Sequence, residues 1–357
     1  MTTPTATTHP DFGATTDGLT VAAAFSGAIK GRTILITGVN RKGIGYTTAE
    51  SFASQSPRLL ILAGRSTAKL QECIDDLKAA YPDVEYRSLQ VDLSSQKSVR
   101  KAAAEVLAWT DVPAIDIVIN NAGIMNIPER TMTEDGVELT MATNHVGHFL
   151  LTNLIMPKIL AAASGKKGAV RIVNLASMGV YVAAVPLSDM GYERPVRELP
   201  DAERPNLAIM QAHNLVVDDT MAYIPTAAYG ASKTAAVLFS VGLNQRLFEK
   251  HGVLSVAVNP GEIQTELIRY TDPVVRDTML AAAAERGLVW KTHQQGCATT
   301  LVAALDDKLG LPSEDDGAGA FLGNCQIIKA PGYAVKKDIA ERLWKWSEEV
   351  TGERFSW

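Results

Sequence analysis

Cysteine is scarce. Cys73, Cys297 and Cys325 are the only three in 357 residues. They form neither a CxxC pair nor an even disulfide framework, which suits a reducing compartment and argues against a structural zinc site. Long apolar runs are missing as well. The longest candidate, from Phe149 to Ala163, is broken by Asn153 and Lys158 and falls short of the ~20 residues that span a bilayer. No lysine or arginine precedes Lys30, so neither a signal-peptide n-region nor an Arg-rich transit peptide is expected. The expected address is cytoplasmic. A long basic run is absent and the net charge is -5, which gives nucleic acid no electrostatic footprint. With 46% hydrophobic and 20% charged residues, the chain is ordinary globular material, long enough to bury a core without staples.

Residues 1 to about 20 are polar and Thr-rich, and a mobile tail is expected there. A helical lead-in follows, from Val21 to Ile29. Short apolar runs then alternate with longer amphipathic ones. The strand candidates are Thr33–Thr37, Leu59–Ala63, Tyr86–Val91, Asp116–Asn120, Ala169–Asn174, Leu254–Asn259 and Ala320–Cys325. The inner runs are continuous apolar blocks, as strands covered on both faces read. The segments Thr47–Gln55, Thr67–Ala80, Ser98–Ala108 and Thr234–Lys250 are long enough for crossover helices. Such alternation predicts a seven-stranded parallel sheet with helices on both faces, in one domain from residue 21 to 357. Between Met178 and Ala228 the rhythm stops. Five prolines (Pro186, Pro195, Pro200, Pro205 and Pro225) stand there among mixed charges. This reads as an insert at about 178–228, and long irregular segments of that kind are often functional lids.

The first strand candidate runs into Gly38-Val39-Asn40-Arg41-Lys42-Gly43-Ile44-Gly45. Glycines there let the backbone approach a pyrophosphate, and a following helix N-terminus favours the anion. A plain strand–helix turn is the alternative. Folds that bind NAD place an Asp or Glu at the end of the second strand, for the ribose hydroxyls. This chain has Ala63-Gly64-Arg65-Ser66 instead. A guanidinium binds a 2′-phosphate bidentately, so Arg65 points to NADP(H), unless it is merely a solvated surface residue. Arg41 and Lys42 add positive charge nearby. Asp92 ends the third strand with Leu93, and either accepts from an adenine amino group or caps the next helix. Asn120-Asn121-Ala122-Gly123 ends the fourth. Its small residues leave room for a cofactor, and its Asn side chains can instead tie strands together.

Tyr229-Gly230-Ala231-Ser232-Lys233 opens a helical segment, and a Tyr and Lys four apart share one helix face. Tyrosine, with its ordinary pKa of ~10, is a poor base. A neighbouring ammonium and an oxidised nicotinamide favour the phenolate and make a usable general acid/base. Ser177 follows the fifth strand, where its hydroxyl can hold a substrate oxygen or simply stabilise a turn. Asn144 can carry a water extending a proton path from the lysine, or make an ordinary helix side-chain hydrogen bond.

The ordered series TGVNRKGIG, VDL, NNAG, Asn144, Ser177, YGASK and Asn259-Pro260-Gly261-Glu262-Ile263-Gln264-Thr265 resembles the short-chain dehydrogenase/reductase family. The likeness is greater to its retinol-dehydrogenase-like and fungal short-chain reductase branch. It covers roughly residues 20 to 350. The resemblance implies a doubly wound α/β Rossmann fold and a catalytic tetrad of Asn144, Ser177, Tyr229 and Lys233. It implies cofactor contacts from Gly38, Arg41, Ile44, Arg65, Asp92, Leu93, Asn121, Ala122 and Gly123, and from Pro260, Gly261, Ile263 and Thr265 around the nicotinamide carboxamide. It also implies a small-molecule carbonyl or alcohol substrate and a homodimer or homotetramer. Two departures stand out. The glycine loop is one residue longer than the usual TGxxxGxG, leaving open whether Arg41 or Lys42 meets the phosphate. The Ser177–Tyr229 separation far exceeds the usual dozen or so residues, so the insert must loop out.

Reversible NADP(H)-linked carbonyl reduction is the leading expectation. Reduction of an activated C=C bond and a catalytically silent nucleotide or partner binder are the alternatives. The insert and the segment from Glu266 to Trp290 are expected to line the pocket, and their Met, Leu, Val and Tyr content suggests a lipophilic substrate. His145 and His148 lack accompanying metal ligands. Leu343, Trp344 and Trp346 read as the packing face of a helix.

Overall fold

The computed structural model describes residues 6–163, 165–285, 287–313 and 319–357. Eight strands form one sheet: β1 (Thr33–Thr37), β2 (Leu59–Gly64), β3 (Glu85–Gln90), β4 (Ile117–Asn120), β5 (Val170–Leu175), β6 (Val253–Asn259), β7 (Phe321–Gly323) and β8 (Gln326–Ile327). Their order is β3-β2-β1-β4-β5-β6-β7-β8. The first seven are mutually parallel, and β8 alone is antiparallel, paired to β7. The expected seven parallel strands are thus present, with one short strand added. The run read as a single strand to Cys325 turns back at Asn324 and Cys325, whose φ angles are 49° and 62°. Two left-handed residues make the tight turn that suits a β-hairpin.

The inner strands read as largely continuous apolar runs because both faces are covered. In β1, Ile34 and Ile36 point to one layer and Leu35 to the other. The first layer packs the helices Ile44–Ala53, Thr67–Ala80 and His293–Leu305 through Phe52, Leu70, Leu77 and Leu301. The second packs Gln96–Ala108, Gly147–Leu154 and Pro225–His251 through Val99, Phe149, Phe239 and Leu243. The last of these helices begins at Pro225, earlier than the sequence reading placed it, because proline suits the first helical position. Against it lies the Lys337–Thr351 helix, with Leu343 and Trp344 buried.

Within the stretch expected to be a tail, residues 6–17 make specific contacts. Thr7 Oγ1 donates to Gln326 at 2.8 Å, Thr8 N to Asp306 at 2.7 Å, and Phe12 stacks on His9. Residues 1–5 lie outside the described residues. The insert holds a short helix, Leu207–Ala212, among single 3₁₀ turns.

Strand β1 lies between β2 and β4, so the connections leave in opposite directions there. Ligands of open α/β sheets bind in the crevice this creates at the carboxyl ends of the strands.

Candidate active site

A cavity of about 1060 Å³ fills that crevice. Its floor is the glycine loop. Gly38 has φ +72°, and a Cβ there would lie 2.6 Å from the Ala122 Cα. Only glycine keeps this approach open. No side chain caps the Ile44–Ala53 helix at Gly43, so its first N–H groups remain for an anion. The structure brings Gly38, Asn40, Lys42, Gly43, Ile44, Arg65, Asp92, Leu93, Asn121, Ala122, Gly123, Pro260, Gly261, Ile263 and Thr265 into the cavity wall. Gly45 stands just behind it, packed on Asn121 and Gly38.

Arg41 is not among the residues that line the cavity. Its guanidinium turns away from the cavity, to Asp76 at 2.5 and 2.7 Å and Glu72 at 3.2 Å. The added loop residue leaves Lys42 on the cavity side. With it stand Arg65 and a cation the sequence reading missed, Lys69. Ser66 caps the Thr67–Ala80 helix by accepting from Lys69 N. That cap places Lys69 in the first turn, beside Arg65, a position readable from Ser66 once the helix start is known. Arg65 also donates to the Tyr270 hydroxyl at 3.4 Å. These cations, the absence of a carboxylate after β2 and the uncapped helix fit a phosphorylated dinucleotide.

The asparagines serve the structure. Asn120 Nδ2 donates to Asn174 Oδ1 at 2.8 Å, tying β4 to β5. Asn121 Nδ2 donates to the Thr37 carbonyl at 2.6 Å. Thr37 Oγ1 in turn accepts from the N–H groups of Asn121 and Ala122, both at 3.0 Å, and sits 2.8 Å from His148 Nε2. Asp92 does not cap the next helix, since Ser95 does. Its Oδ1 accepts from Ser94 N and Oγ at 3.0 and 2.7 Å.

The insert does loop out, and Ser177 and Tyr229 meet. Ser177 Oγ faces the Tyr229 phenol and also accepts from Gly179 N at 2.9 Å. Burial pushes the Tyr229 pKa up to about 12, against a lowering by the Ser177 hydrogen bond, and Glu262 adds a further rise. The expected depression by the lysine is not among the causes of this shift, and desolvation sets its direction. Lys233 is 5% exposed. Its Nζ donates to the Leu175 carbonyl at 2.8 Å and lies 5.6 Å from the centre of the Tyr229 ring. Burial lowers its pKa to about 8. Asn144 stays behind the wall, on a single π turn over Ala142–Val146. Both ends of its amide clamp Ile124, at 2.9 Å to N and 2.9 Å to O, and Nδ2 also reaches Ser232 Oγ. The clamp lies next to Gly123, where a Cβ would stand 3.4 Å from Asn144 Oδ1 and 3.5 Å from Lys233 Nζ.

Beyond the phenol much of the wall is apolar. Met125, Ile127 and Pro128 come from the loop after β4, and Met210 and Leu215 from the insert. Met279 and Leu280 on the Pro273–Glu285 helix, with Trp290, cover the other side. Both segments expected at the pocket are there. The loop after β4 was not foreseen.

A family profile described as short chain dehydrogenase matches residues 32–186. The chain is 36% identical over 250 residues to "Oxidoreductase fscI" of Fusarium equiseti, covering 70% of this chain and 94% of that protein. It is 31% identical over 327 residues to "Retinol dehydrogenase 13" of Homo sapiens, covering 91% and 86%. A crystal structure of an uncharacterized protein from Mycobacterium Paratuberculosis superposes with a TM-score of 0.62 at 27% identity, covering 92% of this chain and 96% of that one. Fold, crevice and these likenesses agree: the chain belongs to the short chain dehydrogenase family of oxidoreductases, among its retinol-dehydrogenase-like and fungal members.

Proposed function

We propose that the chain is an NADP(H)-dependent carbonyl reductase/alcohol dehydrogenase acting on a lipophilic ketone, aldehyde or alcohol. The observation that carries this is the convergence of the Ser177 hydroxyl and the Tyr229 phenol at one point of the cavity, with the Lys233 ammonium buried behind them. When bound, the dinucleotide supplies or takes the hydride. In reduction, Ser177 Oγ–H holds the substrate oxygen and Tyr229 Oη–H gives it a proton. The phenolate left behind is stabilised by the Lys233 ammonium. Asn144 braces the helix that carries this pair through its Nδ2 hydrogen bond to Ser232 Oγ at 2.9 Å. A phenol held up at about 12 keeps its proton at neutral pH, which favours the acid role. Alcohol oxidation needs the phenolate, so its rate rises with pH while reduction does not.

Arg65, Lys42 and Lys69 around the cavity support the choice of the 2′-phosphorylated cofactor. Three buried free thiols suit the cytoplasmic setting. No helix among the described residues is long and apolar enough to cross a membrane. In this reading residues 21–357 act as one catalytic unit, and the insert at 178–228 contributes wall.

Tyr229→Phe tests the mechanism. Turnover of a carbonyl panel is expected to fall at least ~100-fold, the lower range for losing a general acid. NADPH binding, followed by fluorescence, is expected to persist. Full retained activity rejects the mechanism, and a saturated C–C product from an enone in place of an alcohol rejects carbonyl reduction.

A further inference from the structure

Asn126 is 3% exposed and lines the cavity. Its φ of +51° suits Asn, Asp or Gly, which accounts for the backbone but not for a carboxamide turned into an apolar wall. The partners of that carboxamide are few. Oδ1 accepts from Thr226 Oγ1 at 3.3 Å, and Nδ2 approaches the Met279 Sδ at 3.6 Å. A thioether is a weak acceptor and no donor, so the amino end faces it. A buried N–H group left with so weak a partner costs free energy that a ligand oxygen recovers.

The placement is specific. Thr226, which orients the amide, lies three residues before Tyr229 on the same helix face, within one turn of ~5.4 Å. Ile124, two residues before Asn126, is clamped by Asn144. Met279 belongs to the helix that covers the cavity. The donor thus sits between the start of the helix that carries Tyr229 and the covering helix.

We infer that Asn126 is a specificity-determining residue whose amide N–H₂ binds a second oxygen of the substrate, an acceptor such as a carbonyl several bonds from the one reduced, displacing Met279 Sδ. The inference rests on the carbonyl-reductase reading and narrows its substrate class from lipophilic ketones to doubly oxygenated ones.

The test compares kcat/KM for aryl diketones of graded carbonyl spacing with aryl monoketones of equal chain length, at saturating NADPH. Wild type, Asn126→Gly and Asn126→Asp are used, since both replacements accept the positive φ. NADPH fluorescence titration shows that each variant is folded. Wild type is expected to favour a diketone of one spacing by about tenfold, the worth of one good hydrogen bond. Asn126→Gly brings that ratio to near one. Asn126→Asp, which sets an acceptor against an acceptor, takes it lower still. A purely structural Asn126 changes both substrate classes alike and leaves the ratio in place, which overturns the inference. So does a wild type that reduces monoketones without any diketone preference, and in that case carbonyl reduction itself stands. NADPH binding with no turnover of either class sinks the carbonyl-reductase reading, and this inference with it.

Discussion

In the proposed NADP(H) reading the cofactor preference rests on one exposed side chain, Arg65, helped by Lys42 and Lys69 in the cavity wall. Arg65→Ala is expected to weaken NADPH about tenfold or more while NADH changes little, since a charge-assisted hydrogen bond is worth ~1.5–3 kcal/mol. Titration with both dinucleotides measures it, and equal loss for both contradicts the phosphate role. Lys233 illustrates the cost of the catalytic arrangement. Its pKa falls from 10.5 to about 8 on burial, so the folded chain holds this proton less tightly than the unfolded one. Stability from this group is complete above pH 10.5 and is lost as pH falls through about 8. Lys233→Met should therefore raise stability at pH 7 by up to ~3 kcal/mol, less the lost hydrogen bond to Leu175, with the gain fading toward pH 10.5. Urea unfolding across that range reads the difference, and a gain independent of pH would refute the burial argument. Of these residues, Arg65, Tyr229 and Lys233 were legible because each follows from a motif and its spacing. Arg41 was not, because its direction depends on Asp76 and Glu72 in the Thr67–Ala80 helix.

At the scale of elements, the Lys337–Thr351 helix secures the helix that carries Tyr229. Trp344 is 3% exposed and packs on Phe149 at 4.9 Å between ring centres, with the Arg246 guanidinium 3.9 Å from its own. Trp344→Ala should cost roughly 3–5 kcal/mol by leaving a cavity, read as a lower urea midpoint at pH 7. Retained wild-type stability would mean the two helices are held by other contacts. Six of the seven parallel strands were placed to within one residue at each end and the seventh to within two, because the buried inner strands write unbroken apolar runs and frame the rest. The two-residue β8 wrote nothing so long. The Leu207–Ala212 helix was equally silent, since six residues give barely more than one period of a helical pattern.

The whole molecule should be acid-sensitive. His145 and His148 are buried, and desolvation lowers their pKa values from 6.5 to about 3 and about 4. Their neutral rings bond Ser347 Oγ and Thr37 Oγ1, both at 2.8 Å. Unfolding lets them take up protons. The stability they contribute is complete above pH 6.5 and is lost as pH falls through about 4 and then about 3. The urea midpoint is expected to drop steeply from pH 6.5 toward 4, and a His145→Asn/His148→Gln variant to drop less. Parallel profiles would assign the acid transition to other groups.

The amino-acid order alone determined the alternation of strands and helices, the crossover topology and the chemical identity of Ser177, Tyr229 and Lys233. Those depend on local periodicity and on short motifs, each read within a few residues of itself. Only the tertiary structure decided that Arg41 pairs with Asp76 and Glu72 while Lys42 and Lys69 line the cavity, that Asn144 bonds Ile124 and Ser232, and that Asn126 turns its amide toward Met279. Each of these is a choice between partners on different elements, settled by burial and hydrogen bonding among side chains that sequence spacing does not bring together.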